Sequence, residues 1–207
     1  MKIIEPSVEL IDDVNAAAIY SKIERCGRVA HQSKPREETV GEFVRNESAI
    51  PFIRMLIKRG HESVLEHVSL TFHIVCDRAI MAELTRHRLA SFTIESTRYC
   101  KYDELTAINQ FPNDAIGEFI QEESVLTAES IYRDWIKNHG ATPEQARAVL
   151  PLCLKTELYM TANLRELRHI LKLRTAPAAH PQMRVVAGQI LGIFRKKLPV
   201  IVEDITS

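Results

Sequence analysis

Between Val68 and Ile74 apolar and polar side chains alternate one for one: Val68, Leu70, Phe72 and Ile74 against Ser69, Thr71 and His73. A repeat of two sends successive side chains to opposite faces of an extended chain, so this stretch predicts a strand covered on one face. The segments around it have another period. Arg78–Thr85 carries Ile80, Met81 and Leu84 at helical spacing, and Ala115–Lys137 holds a longer helical pattern that ends near Gly140. Gln182–Lys197 places Met183, Val186, Ile190, Leu191 and Phe194 three and four residues apart. Strands interspersed with helices predict an α+β fold, a modest and mainly antiparallel sheet flanked by helices, with 1–207 as a single domain.

Local signals add detail. Lys2–Glu5 suits a short first strand ended by Pro6. Asp12 and Asp13 can start a helix that runs through Ile23 towards Cys26, with Gly27 as its stop. Ser48–Arg59 predicts a helix capped by Ser48 and closed by Gly60. The polar, aperiodic stretch Arg28–Asn46 is long for a connector and is expected to be a lid or ligand-contacting loop. Pro143 opens a short helix carrying Arg147. Lys155–Thr161 suits a strand, and Leu164–Leu171 predicts a helix with Arg174 just past its end.

Charge narrows the function. The chain has 27 basic and 27 acidic residues, which leaves no overall field to hold a nucleic-acid polymer or an anionic membrane. Yet Arg86, His87, Arg88, Ser91, Ser96 and Arg98 fall within thirteen residues. Guanidinium forks and hydroxyls suit phosphate and carboxylate groups, so this stretch is a candidate anion site for a nucleotide-sized ligand. The alternative is a solvated helix end whose arginines pair with surface acids, since Glu83 precedes them.

Several functions are excluded on motif grounds. No GxGxxG, GxxxxGK[ST] or GxSxG is present. His61 and His67 are six residues apart, which does not put two imidazoles on one helix face, and no metal site is expected. The four cysteines are widely spaced, lack a local histidine and read as reduced thiols of a cytoplasmic protein. No apolar run nears the roughly 20 residues that cross a bilayer. From the residues alone the reading ends at a phosphate-binding α+β enzyme.

The ordered motifs carry a resemblance. Arg86-His87-Arg88, seven residues, Ser96 and then Arg98 resemble the signature of the flavin-dependent thymidylate synthases. His61-Glu62-Ser63 with Glu66-His67 resembles that family's HE[TS]xxEH segment. Ala146–Pro151 resembles its ARxVLP element, and Thr161–Arg165 with Leu171–Arg174 resembles TxNxR…LxLR. The blocks come in the family's order and cover most of the chain from Gly60 to Arg184.

The resemblance implies an α+β homotetramer that binds FAD where subunits meet. The implied reaction methylates dUMP to dTMP, with methylenetetrahydrofolate as one-carbon donor and NADPH as reductant through FAD. It implies flavin contacts at Ser63, Glu66, Arg86, His87, Arg88, Asn163, Arg165 and His169, with Ile94, where the family commonly has Glu or Gln, left to backbone contacts. It implies dUMP contacts at Arg86, at the segment Glu95, Ser96, Thr97 and Arg98, at Arg147 and at Glu83, which replaces a common glutamine. Arg174 matches the residue set against the uracil ring, and His61 matches a histidine near the flavin's reactive face. Glu83 and Ile94 also leave room for a catalytically impaired flavin- or nucleotide-binding relative.

Overall fold

The computed structural model describes residues 1–30, 32–33, 39–40, 43–44 and 48–206. In chain order the first elements are β1 (Lys2–Ile4), β2 (Ser7–Leu10), α1 (Ala16–Val29), β3 (Thr39–Val40), β4 (Phe43–Val44), α2 (Ala49–Lys58) and a 3₁₀ segment at Glu62–His67. Next come β5 (Ser69–Asp77), α3 (Arg78–Leu84), β6 (Ala90–Ile94), β7 (Thr106–Ile108), α4 (Ala115–His139), α5 (Pro143–Ala146) and a 3₁₀ turn at Arg147–Val149. The chain ends through β8 (Lys155–Asn163), α6 (Leu164–Arg174), α7 (Pro181–Lys197) and α8 (Pro199–Val202). Among the described residues no helix is long and apolar enough to cross a membrane.

Strands β2, β5, β8 and β6 form one sheet in that order, β1 pairs in parallel with β7, and β3 pairs antiparallel with β4. The Thr71 and Thr161 hydroxyls lie 3.0 Å apart and the His73 ring stacks on Tyr159 at 4.9 Å. Positions therefore rise along β5 as they fall along β8, and the two strands are antiparallel. The alternation read from the sequence holds: Leu70, Phe72, Ile74 and Cys76 are buried on one face of β5, while Ser69, Thr71, His73 and Val75 are not.

The chain divides into two compact units. The first comprises Met1–Glu9, His73–Arg88 and Phe92–Met160. Leu105, Ala107, Val125 and Leu154 form its buried cluster. Residues Gly117, Gln121, Val125 and Glu129 recur every fourth position on the buried side of α4, and two of them are polar for a reason. Gln121 donates to the Ile108 carbonyl at 2.7 Å, and Glu129 accepts the Leu105 N–H at 2.7 Å. These side chains satisfy backbone groups at β7 that would otherwise be buried without partners. Gly140 stops α4 as expected, in the left-handed conformation (φ 66°) that glycine adopts without steric cost.

The second unit comprises Leu10–Phe72, Leu89–Ser91 and Thr161–Ser207. Here the structure corrects three local expectations. Asn15, not Asp12 or Asp13, caps α1, its Oδ1 accepting the Ala18 N–H, because Asp12 is committed to the Thr71 N–H at 2.6 Å. Helix α1 does not stop at Gly27 but runs to Val29, held by Arg28 on Glu24 at 2.6 Å. Gly27 marks a close approach instead, since a Cβ there would stand 2.7 Å from the Phe52 ring. Ser48 precedes α2 without capping it and donates to Glu24 at 3.1 Å. Most of the expected 28–46 loop lies outside the described residues.

Helix α6 packs against α7, α8 and the Glu62–His67 segment. Its buried residues are apolar except for Glu166 and Arg168, and Arg168 is 0% exposed. Arg168 donates to Asp204 at 2.7 and 2.8 Å, to Glu62 at 3.0 Å and to the Ile201 carbonyl. The hydrogen bonds from Arg168 hold the Asp204 carboxyl well below its usual range, at about 2. Removing one partner of such a buried pair leaves charge without compensation, so Arg168→Met is expected to lose about 3–5 kcal/mol in urea unfolding. Because the folded Asp204 pKa is depressed, its contribution is complete above the ordinary aspartate range and is lost as pH falls towards 2. The same titration series on Asp204→Asn is expected to lack that acid-dependent step.

Candidate active site

In the second unit the Glu62–His67 segment and α6 enclose a pocket of about 550 Å³. It is lined by Glu62, Glu66, Leu89, Asn163, Arg165, Glu166, His169 and Lys172. On α6 the spacing 165, 169, 172 puts guanidinium, imidazole and ammonium on one side of the helix, while Arg168, one turn before Lys172, is buried in the core. Asn163 caps the helix with its Oδ1 on the Glu166 N–H at 2.9 Å, which leaves its amide group to donate. Arg165 pairs with Glu66 at 2.5 Å, and Lys172 lies 3.3 Å from Asp204 and 3.7 Å from Glu62. Two cations, three carboxylates, an amide, an imidazole and an exposed leucine do not make a bare phosphate cradle. They suit a ligand rich in hydroxyl and ring-nitrogen groups with some apolar surface.

Four of the residues singled out from the sequence, Glu66, Asn163, Arg165 and His169, thus meet in one pocket. His61, at the start of the 3₁₀ segment, and Ser63 are exposed and do not line it. Arg174 is the last residue of α6 rather than beyond it and is half-buried. Glu62, Glu166, Lys172 and Leu89 were not singled out. Lys172 was within reach, since it follows Arg165 by seven residues on the same side of a helix.

In the first unit Arg86, His87 and Arg88 form the turn after α3, where the Arg86 and His87 N–H groups still bond back to Glu83 and Leu84. His87 is buried, at 5% exposure, between two exposed arginines. Arg86, Arg88 and Arg147 make no ion pair among the described residues. Of the surface ion pairs that the alternative reading expects, Arg98 makes one, with Glu144 at 2.8 Å. Glu83 and Ile94 are half-buried.

Past β6 the chain turns at Ser96, whose carbonyl accepts from the Tyr99 and Cys100 N–H groups and whose Oγ accepts from Arg98 N–H at 3.3 Å. Thr97 is buried and Arg98 is exposed. Glu95 gives its side chain to the protein: Tyr102 donates to it at 2.6 Å and Lys155 at 3.1 Å. Lys155 also lies 2.5 Å from Glu157, which the His73 ring meets at 3.2 Å. Partial burial works against the Lys155 ammonium, but its hydrogen bonds to Glu157 and Glu95 outweigh it and raise its pKa. The Lys155 hydrogen bond in turn lowers that of Glu157. The sequence offered no sign of this network, which joins Lys155 to Glu95 across 60 residues and Glu157 to His73 across 84.

The cysteines stand as free thiols. Burial pushes the Cys76 thiol up to about 12 and also raises that of Cys153, so neither is a nucleophile at neutral pH.

Comparison with known proteins follows the same lines. A family model for thymidylate synthase complementing protein matches residues 10–200. The flavin-dependent thymidylate synthase of Thermococcus onnurineus is 38% identical over 151 residues, covering 66% of this chain and 58% of the relative. That of Pyrococcus furiosus is 36% identical over 152 residues, covering 67% and 59%. The match thus spans less than two thirds of these relatives' length. The Nitratidesulfovibrio vulgaris enzyme of the same name is 30% identical over 207 residues, covering 94% of this chain and 84% of the relative. Among solved structures, a UMP/dUMP methylase, PolB of Streptomyces cacaoi bound with 5-Br UMP, shares the fold. Its TM-score is 0.78 at 24% identity, over 98% of this chain and 95% of that one.

The Lys155 network yields a test. Lys155→Met leaves Glu95 and Glu157 facing each other without their shared cation, and is expected to cost about 1–3 kcal/mol in urea unfolding. The lowered Glu157 pKa means that its contribution is present above the ordinary glutamate range and fades as pH falls through its folded value. Wild type and variant should therefore converge in stability as the pH is lowered through the carboxylate range.

Proposed function

The chain belongs to the family of thymidylate synthase complementing proteins, the flavin-dependent thymidylate synthases, and from that premise we propose that it converts dUMP to dTMP. In this reading methylenetetrahydrofolate donates the one-carbon unit and NADPH the reducing equivalents, with FAD as resident cofactor. The working form is a cytoplasmic homotetramer with active sites shared between subunits. The observation that carries the reading is the single pocket that gathers Glu66, Asn163, Arg165 and His169. These are residues that the family motifs assign to the flavin.

The donor set fits FAD in its sugar and ring portions. Asn163 and His169 offer hydrogen bonds, and Leu89 offers apolar contact. Arg165 offers a cation that it now shares with Glu66. Ser63, Arg86, His87, Arg88 and the Ile94 backbone complete the flavin contacts in this proposal. When bound, FAD supplies the reduction that turns a transferred methylene into a methyl group.

The chain's own residues bind and polarise the nucleotide. Ser96, Thr97, Arg98 and Arg147 hold the phosphate, with Arg86 beside it. Glu95, whose oxygens are taken by Tyr102 and Lys155, fixes the start of that segment rather than touching the ligand through its side chain. Arg174 faces the uracil, where a fixed cation stabilises negative charge on the N3/O system as C5 becomes nucleophilic. His61 positions the folate.

Purified protein is expected to be yellow or to take up FAD, and to release tritium from C5-labelled dUMP only when folate and NADPH are supplied. Flavin binding without tritium release would identify the impaired relative that Glu83 and Ile94 suggest. A protein that cannot be loaded with FAD would sink both readings. Arg174→Ala should retain flavin while losing about 10²–10³-fold in kcat, the usual size for a lost charge-stabilising donor. Parallel loss of flavin would make Arg174 structural.

A further inference from the structure

Arg98 and Glu144 meet in the first unit, where Arg98 Nε lies 2.8 Å from Glu144 Oε1 and Arg98 Nη2 lies 3.5 Å from Oε2. The Nη2 group hydrogen-bonds Oε2 while Nε stands at ion-pair distance from Oε1, so the carboxylate occupies the guanidinium edge that a phosphate would also take. Glu144 is held in place from below. It sits in the first turn of α5, whose Thr142 and Gln145 close a reciprocal capping box. Arg147, the other cation proposed for the phosphate, follows three residues later.

Both partners of the pair are 51% exposed, so water screens the attraction and a stronger anion can break it. A phosphate monoester carries roughly twice the charge of a carboxylate near neutral pH. A carboxylate left beside a bound phosphate repels it. Arg86, Arg88 and Arg147 have no internal anion among the described residues, whereas Arg98 has one that mimics the ligand.

We propose that Glu144 is a resident counter-ion that occupies the Arg98 fork in the absence of ligand and must yield it to the nucleotide's phosphate. The carboxylate thereby sets the affinity of the site below its maximum and favours dianionic monophosphates over singly charged anions. This inference rests on the reading of Arg98 as a phosphate contact.

The sign of one measurement tests it. In flavin-loaded protein, calorimetric binding of dUMP to Glu144→Gln and to Glu144→Ala should tighten by about two- to fivefold, the size of an exposed ion pair. The gain should shrink as salt is raised, and binding of deoxyuridine, which lacks the phosphate, should not change. If Glu144 instead pre-orients Arg98, or merely supports the fold, dUMP binding to both variants weakens or stays the same, and the proposal is overturned. Arg98→Met separates the two levels of the argument. If it binds dUMP like wild type, the assignment of Arg98 to the phosphate fails and the counter-ion role falls with it. If it binds more weakly while neither Glu144 variant tightens, the counter-ion role alone is lost.

Discussion

Arg168 buries a permanent positive charge at 0% exposure, a desolvation that is tolerable only when carboxylates and carbonyls surround the group. Its partners come from three places in the second unit: Glu62 from the 3₁₀ segment, Asp204 from the end of the chain, and the Ile201 carbonyl from α8. Satisfying one guanidinium therefore ties three segments to α6. Two further consequences reach the pocket. Glu62 is held by its inner oxygen, and Lys172 is drawn between Glu62 and Asp204. Asn163, which caps α6, and Arg165 and His169 on the helix are thereby held in a fixed register along the pocket wall.

The first unit handles charge differently. Glu95 and Glu157 share the Lys155 ammonium in a half-buried row that the His73 ring extends, whereas the turn after α3 leaves Arg86 and Arg88 exposed without ion pairs among the described residues. On a chain with no net charge, unpaired cations clustered in one turn raise the local potential. The Arg98–Glu144 pair lies between these two conditions, charged yet internally answered.

The elements most legible in the sequence were those that bury one face over a long stretch. The alternation in β5, the spacing in α7 and the Gly140 stop of α4 all depend on side chains of one segment only. Strands β2, β6 and β7 were not anticipated because three to five residues give too short a pattern to distinguish an extended strand from a loop. The start of α1 was misplaced for another reason. Asp12 is as good a cap as Asn15, and only its bond to Thr71, 59 residues away, takes it out of contention. The polar inner positions of α4 were illegible too, since Gln121 and Glu129 face backbone groups near β7 rather than water.

For the candidate site, the sequence by itself determined which side chains stand in the family's motifs. The Arg-His-Arg turn, the Glu66-His67 segment and the Asn163–Arg174 helix carry the side chains that name the family, and their order along the chain is enough to recognise it. Only the tertiary structure decided which of those groups are available. It buried His87, gave the Glu95 oxygens to Tyr102 and Lys155, matched Arg98 with Glu144, and brought Glu66 against Arg165 from 99 residues away. The physical reason is the same in each case. The identity of a side chain fixes what bonds it can make, but burial and long-range partners settle which of those bonds are already spent, and neither is a property of any single stretch of sequence.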